Sequence, residues 1–173
     1  MKKILRAGNP RDEVLFTLGI NTALRISDLL ALSVGDVLNA KGKLADTIEL
    51  KEKKTGKPKK FPLNKSVRSV LSGYLRGRAD ARQGDPLFPS RNGGALSRWR
   101  ARRILAAAGG AVGENRVGTH SLRKTFGYHV YKRTGGNLGL VQKLLNHSSS
   151  GDTLRYIGID REEMDNTYLD LNL

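Results

Sequence analysis

Hydrophobic residues recur at helical spacing along most of the chain, and capping or turn residues separate these stretches. Asn9 and Pro10 place a capping side chain before a proline at the first helical position, which predicts a helix to about Leu24. Ser27 is the expected cap of a second, short helix, and Asn64 or Ser66 caps a later one. The predicted helices after the first cover residues 28–32, a stretch through residue 75, and residues 97–108, 119–134, 138–145 and 153 onward.

One stretch has the pattern of a β-hairpin. Residues 47–51 alternate and contain β-branched side chains, which predicts a strand, and residues 60–63 are the expected return strand. The turn residues 54–57 lie between them, and Pro62 cannot donate to a ladder, so the second strand is expected at an edge. The predicted fold class is therefore mainly α with one small antiparallel hairpin (α+β).

Charge changes this picture, because lysine and arginine outnumber aspartate and glutamate by 31 to 16 and give the 173 residues a net charge of +15. Residues 158–173 carry one arginine against five carboxylates, which leaves +19 on residues 1–157. Nucleic acids and anionic membrane surfaces are the commonest partners of so strong a cationic field. A solvated basic surface of no special purpose is the plainer alternative.

The composition also limits the possible chemistry and location. With no cysteine, the chain can form neither a disulfide, nor a thiol nucleophile, nor a thiolate zinc site. No apolar stretch is long enough to span a bilayer, and no signal-peptide pattern is present. We expect a soluble, cytoplasmic protein with one domain over residues 1–157 and an acidic tail over 158–173. That tail would shield the basic body or dock onto a basic groove of it or of a neighbour.

Two segments pair an arginine with a residue three positions away. Arg25 precedes Asp28 where one predicted helix ends and another begins, and the plain interpretation is a surface ion pair. His120 and Arg123 share a helix face and together can hold one phosphate, with the arginine supplying two parallel donors. A capped helix with a satisfied histidine explains the second pair equally well.

A third segment, Leu145-Asn146-His147, is followed nine residues later by Tyr156. Tyrosine is a poor nucleophile unless nearby cations stabilise its phenolate. Taken alone, Tyr156 is more simply a core aromatic residue near the end of the chain.

Together these segments resemble the tyrosine recombinases, the phage integrase family. That family carries an arginine followed by an acidic residue three positions on, a His-x-x-Arg box, and a Leu-Gly-His turn nine residues before a nucleophilic tyrosine. It also carries a lysine in a hairpin turn, often as Lys-Thr-Gly. The resemblance covers residues 10 to about 156, with Asn146 where glycine is usual. The matching residues are Arg25, Asp28, Lys54, His120, Arg123, His147 and Tyr156.

The resemblance implies DNA breakage and rejoining without a metal, ATP or any other cofactor. Tyr156 would attack the scissile phosphate and form a 3′-phosphotyrosyl bond, and Lys54 would protonate the leaving 5′-oxygen. A cluster of cations and donors would stabilise the charge on the five-coordinate phosphorus. The residues implied in that cluster are Arg25 and Arg123 on the non-bridging oxygens, His120 and His147 on the same phosphate, and Asp28 orienting its neighbours.

By the same resemblance the partner is double-stranded DNA, and the protein self-associates on it as a tetrameric synapse, with accessory DNA-bending proteins possible. No membrane partner is implied, and the expected location is the cytoplasm at the nucleoid. Basic residues outside the catalytic set would follow the duplex backbone. The candidates are Lys57, Lys59, Lys60, Arg98, Arg100, Arg102, Arg103 and Lys124.

Some features leave alternatives open. The arginine box begins at Ala23, without room before it for the N-terminal helical domain of typical family members, so the chain is either an excised catalytic domain or a natural minimal protein. Tyr168 is a second candidate nucleophile. Rival functions are a non-catalytic DNA-binding regulator on the same fold, a type IB topoisomerase, and a metal-dependent nuclease. The last of these would use Glu49 and Lys51 with Asp36 upstream.

Overall fold

The computed structural model describes residues 1–39, 41–158 and Leu169, and it confirms the mainly helical fold with one hairpin. The helices are α1 (Lys2–Gly8), α2 (Pro10–Thr22), α3 (Ile26–Leu29), α4 (Lys65–Arg76), α5 (Arg98–Gly110), α6 (Thr119–Arg133), α7 (Leu138–Leu144) and α8 (Ser150–Ile157), with a short 3₁₀ turn at Val34–Asp36. The strands β1 (Thr47–Lys51) and β2 (Pro58–Pro62) pair antiparallel, with Thr47 opposite Pro62. No helix in the described ranges has the length and apolar character needed to cross a membrane.

Side-chain caps set several helix starts as the sequence predicts. The Asn9 side chain accepts a hydrogen bond from the Arg11 amide at the start of α2. At α4 the cap is Asn64 rather than Ser66, because the Asn64 side chain accepts from the Val67 amide. These caps satisfy amide groups that the first turn leaves without partners.

Other boundaries differ from the predictions. The short helix α3 begins at Ile26, with Arg25 rather than Ser27 at its cap. Strand β2 begins two residues earlier than expected, at Pro58. Helix α8 begins at Ser150 because the Ser149 side chain caps it by accepting from the Asp152 amide. The helix α1 is an addition that the hydrophobic pattern did not predict.

Two hydrophobic clusters divide the interior. The larger packs α2, the hairpin and α4 around fully buried residues such as Leu18, Ile48 and Leu71. The smaller lies under α6, α7 and α8 and contains Val141 and Leu145. Helix α2 packs against both α4 and α6, so it joins the two clusters.

The contact between α2 and α6 is close at Gly19. A Cβ placed on this glycine would overlap the Leu122 Cδ1 methyl group and lie 3.0 Å from Leu122 Cβ, which is tighter than most carbon contacts in protein interiors. Leu122 directly precedes Arg123, so this approach sets the distance between α2 and the arginine of the second box.

We therefore expect Gly19→Ala to lower the free energy of unfolding by about 1–3 kcal/mol, because the added methyl group overpacks the α2–α6 contact. Gly73→Ala is the matched control, since Gly73 is an exposed helical glycine with open space around its Cβ position. The control should stabilise by up to about 1 kcal/mol through helix propensity. Urea unfolding of the two variants measures both changes, and equal midpoints would contradict the close approach.

Candidate active site and nucleic-acid interface

A groove of about 990 Å³ opens where the two clusters meet, and all six residues predicted to be catalytic line it. They come from five separate parts of the chain: Arg25 between α2 and α3, Lys54 in the hairpin turn, His120 and Arg123 on α6, His147 after α7, and Tyr156 on α8. The fold thus brings together residues that are up to 131 positions apart, from Arg25 to Tyr156.

Arg123 is buried, and its guanidinium connects the loops around it. Its Nη1 donates to the Ala23 carbonyl at 2.6 Å, and its Nη2 donates to the Leu145 carbonyl. Burial, and next the neighbouring charge of Arg25, lower the pKa of the Arg123 guanidinium from its ordinary value. Arg123 therefore fixes the segments that carry Arg25 and His147, while one side of its own side chain remains at the groove.

Tyr156 and His147 meet edge to face, with ring centroids 5.0 Å apart. Burial raises the pKa of the Tyr156 phenol, although Arg123 and Arg25 act in the opposite direction. Burial and then the charge of Arg123 lower the pKa of His147, so the neutral imidazole is favoured at neutral pH. Its Nδ1 lies 3.2 Å from Thr153 Oγ1 on α8, which orients the ring beside Tyr156.

The two residues of the first box, Arg25 and Asp28, bind different partners. Arg25 lies 2.8 Å from the carboxylate of Glu52, a residue just after β1. The buried Asp28 carboxylate accepts a hydrogen bond from the Lys53 amide at 2.9 Å. Asp28 therefore holds the hairpin segment next to Lys54 against α3.

Glu52 and Asn146 are site residues that the motifs alone did not identify as such. Glu52 is wholly buried beneath the arginines, whereas in the sequence it is one carboxylate in a run of lysines. Asn146 lines the groove in the left-handed conformation, with φ of 49°, which asparagine tolerates better than other non-glycine residues. This backbone geometry explains why asparagine can stand where the family usually has glycine.

The predicted DNA-contacting residues separate into groups. Lys57, Arg98 and Lys124 line the groove, and Lys124 also lies over the Tyr156 ring, 5.8 Å from its centroid. Arg103 stacks on Trp99 at 4.7 Å, and Trp99 is itself 64% exposed. The remaining exposed candidates outside the groove lining are Lys60, which pairs with Glu49 across the hairpin, Arg100 and Arg102.

Lys59, which is also predicted to contact DNA, differs from the other candidates in its burial. Its side chain is only 10% exposed, and its ammonium donates to the Leu144 carbonyl at 2.8 Å. Neighbouring side chains of a strand point to opposite faces, so Lys59 faces inward where Lys60 faces solvent. Burial, together with the charge of Arg123, lowers the pKa of Lys59 to about 8.

The residues proposed for a metal-dependent nuclease lie outside the groove lining and are used elsewhere. Asp36 accepts hydrogen bonds from the Ser33 amide and hydroxyl, and Glu49 pairs with Lys60. Over residues 1–39 and 41–158, no three histidine or carboxylate side chains group as a metal site requires. Tyr168 and nearly all of the acidic tail lie outside the described residues, so their predicted roles stay predictions.

The chain belongs to the phage integrase family, whose model matches residues 1–163. It is 44% identical over 163 residues to the probable integrase/recombinase YoeC of Bacillus subtilis, covering 94% of this chain and 85% of that protein. It is also 30% identical over 159 residues to the tyrosine recombinase XerC of Neisseria meningitidis serogroup C, covering 91% of this chain and 50% of XerC. The chain therefore spans about half the length of that second relative.

The fold is that of known recombinases. A solved structure of the XerH site-specific recombinase, bound to a palindromic difH substrate as a post-cleavage complex, superposes with a TM-score of 0.74. The two sequences are 24% identical, and the match covers 93% of this chain and 45% of XerH. The predicted resemblance to the tyrosine recombinases is confirmed.

The burial of Lys59 predicts that the stability of the protein depends on pH. Its pKa of about 8 in the folded protein lies below its ordinary 10.5, so between these values the unfolded chain holds a proton that the folded chain has lost. Stability must then rise with pH across that window, because the unfolded state binds more protons. Relative to a Lys59→Met variant, we expect the wild-type free energy of unfolding to rise by up to about 3 kcal/mol between pH 8 and pH 10.5.

Urea unfolding of both proteins at a series of pH values measures this difference. The comparison cancels the contribution of the tyrosines and other groups that titrate in the same range, because both proteins contain them. Parallel pH curves for the wild type and the variant would show that Lys59 keeps its ordinary pKa and is not buried as the structure has it.

Proposed function

We propose that this protein is a site-specific DNA recombinase that cleaves and rejoins DNA through a covalent bond to Tyr156. One observation carries the proposal: the Tyr156 phenol lies in the same groove as Arg25 and Arg123, which oppose the effect of burial on its pKa. Family membership and the fold shared with recombinases support the same conclusion.

In the proposed reaction the Tyr156 oxygen attacks the scissile phosphorus and the bond from phosphorus to the 5′-oxygen breaks. Arg25 and Arg123 bind the two non-bridging oxygens and stabilise the charge that accumulates on the five-coordinate phosphorus. Lys54, exposed in its hairpin turn, gives the proton that the departing 5′-oxygen takes up. The products are a 3′-phosphotyrosyl bond and a free 5′-hydroxyl, and attack by that hydroxyl reverses the step.

The histidines complete the proton balance. His147 is the proposed acceptor of the Tyr156 proton, because its lowered pKa favours the neutral ring and the two rings are in contact. His120 is exposed at the start of α6 and is proposed to donate a hydrogen bond to the same phosphate. Asp28 acts indirectly, by holding the backbone beside Lys54. Every step uses side chains of this chain, and the proposal requires neither a metal nor ATP.

Double-stranded DNA is the proposed partner, and the groove-lining Lys57, Arg98 and Lys124 are its proposed backbone contacts. A relative of known structure, the XerH recombinase, is seen with its difH DNA substrate, which supports this assignment. We also propose self-association on DNA, and a location in the cytoplasm at the nucleoid, where chromosomal DNA is accessible.

The covalent step has a direct test. Nicked duplexes with randomised sequence around the nick release the fragment beyond the cleavage point and so trap the adduct. In EDTA, we expect wild-type protein to give a DNA-linked species that resists denaturing gel electrophoresis, and Tyr156→Phe to give none, because the attacking oxygen is missing.

Tyr128→Phe is the control, since Tyr128 is an exposed tyrosine with no part in the proposed reaction. This variant should form the adduct at the wild-type rate. Tyr168→Phe tests the second candidate nucleophile in the same assay. An adduct that still forms with Tyr156→Phe, or cleavage that needs Mg²⁺, would contradict the proposal. Relaxation of plasmids of any sequence would favour a type IB topoisomerase.

The proposed DNA interface predicts how the affinity for DNA depends on salt concentration. Arg98 and Arg100 are two positions apart on α5, so they point about 200° apart around the helix, and only Arg98 is among the groove-lining residues. We expect Arg98→Ala to reduce the slope of log affinity against log salt by about 0.9, the value for one lost phosphate contact.

Arg100→Ala should leave that slope unchanged and so controls for the loss of one positive charge from the same helix. Fluorescence anisotropy with a labelled duplex at four or five salt concentrations measures both variants. Equal slopes for the two variants would place the duplex elsewhere on the surface.

A further inference from the structure

Glu52 lies directly beneath the arginines of the groove and has no part in the steps described so far. Its side chain is 0% exposed, and it follows β1 at the start of the turn that carries Lys54. One carboxylate oxygen, Oε2, lies 2.8 Å from Arg25 Nη1 and accepts a hydrogen bond from Thr55 Oγ1 at 2.7 Å. The other, Oε1, lies 3.9 Å from Arg123 Nη1. A single buried carboxylate thus faces both arginines.

The charge of Glu52 is retained in the folded protein. Burial alone would raise the pKa of this carboxyl, but the hydrogen bond from Thr55, the Asn146 side chain and the nearby Arg25 guanidinium outweigh burial, and the pKa is lowered. An anion at this depth is tolerated because cations surround it, with Lys59 also 3.9 Å from Oε1. Glu52 is therefore negative at neutral pH.

The position of Glu52 is fixed by its backbone as well as by its side chain. Its amide donates to the Lys57 carbonyl at 2.9 Å, and its carbonyl accepts from the Gly56 amide at 2.8 Å, so it closes the hairpin turn. A carboxylate fixed at both ends can define where a flexible guanidinium lies. Arg25 needs such a restraint because its side chain remains 21% exposed and extends from a loop between two helices.

We propose that Glu52 is a positioning residue that aligns Arg25 and Arg123 so that both can bind one phosphate. This inference rests on the proposed function and adds a residue to it. Glu52 lies on the buried side of the two arginines, and both arginines line the groove. It also holds two like-charged guanidiniums close together, which their mutual repulsion opposes.

The variant Glu52→Gln tests the proposal, since it keeps the size of the side chain and an oxygen for Thr55 but removes the charge. Misplacement of a catalytic group by about 1 Å can cost about 100-fold in rate. We expect the single-turnover rate of adduct formation to fall by about 10- to 100-fold, with the DNA dissociation constant changed by less than about 3-fold. Glu52→Asp, which keeps the charge on a shorter side chain, should recover part of the rate.

Glu49→Gln is the matched control, because Glu49 is an exposed carboxylate on β1 and pairs with Lys60 rather than with an arginine of the groove. It should react at the wild-type rate. A merely structural role for Glu52 would lower the unfolding midpoint without a selective loss of rate, so urea unfolding is measured alongside. If Glu52→Gln does not fold, Thr55→Val takes its place, because it removes one hydrogen bond to the same carboxylate. We then expect the rate to fall by about 3- to 10-fold, which corresponds to the loss of one hydrogen bond.

A second substrate separates the arginines from Lys54. With sulfur in place of the bridging 5′-oxygen, the leaving thiolate needs no proton, so the defect of Glu52→Gln should persist. Full recovery on that substrate would mean that Glu52 acts through the Lys54 turn and would overturn the proposal. An unchanged rate, or a loss explained wholly by weaker DNA binding, would overturn it as well. If the wild type itself forms no adduct, the proposed function fails first, and this inference fails with it.

Discussion

The buried guanidinium of Arg123 is the interaction on which the arrangement of the groove depends. It donates to carbonyl groups of Ala23 and Leu145, which are 100 and 22 positions away in sequence. Ala23 ends the helix that precedes Arg25, and Leu145 lies two residues before His147. The chain has no disulfide to join these loops, so a buried cation with carbonyl partners does so. Removing one end of such a network leaves polar groups buried without partners, which costs more than the hydrogen bonds themselves contribute.

The backbone adopts a left-handed conformation at or next to each of these carbonyl groups. Ala23 and Asn146 are the non-glycine residues with positive φ among residues 1–39 and 41–158, with φ of 56° and 49°. Ala23 turns the chain sharply out of α2, and Asn146 turns it out of α7. Left-handed alanine costs about 1–2 kcal/mol, and such strain persists only where the surrounding contacts compensate for it. Here the compensating contact is the hydrogen bond to Arg123, so local strain and the position of the site residues are linked.

The sequence predicts the residues of the candidate site better than it predicts the residues that hold them in place. The six candidate catalytic residues that line the groove belong to short motifs with fixed spacing. Helix caps such as Asn9 and Asn64 are local signals that the fold retains. Glu52 could not be found in this way, because its proposed role depends on its contacts with Arg25 and Arg123, which form only in the folded protein. The burial of Lys59 could not be predicted, because β2 reads Pro-Lys-Lys-Phe-Pro, which has too few apolar residues to indicate which face points inward. Its neighbour Lys60 differs in burial although the two have the same chemistry.

The electrostatics of the groove also limit how the proposed reaction can begin. A phenolate formed ahead of attack would need the cations to outweigh burial, yet burial prevails and the pKa of Tyr156 is raised. A bound phosphate would add negative charge and favour the neutral phenol further. We therefore expect the proton to leave as the bond to phosphorus forms, and to pass to a neutral acceptor such as the proposed His147. Burial first, and then the charges of Arg123 and Arg25, lower the pKa of His147, so the arginines proposed to bind the phosphate also favour a neutral proton acceptor.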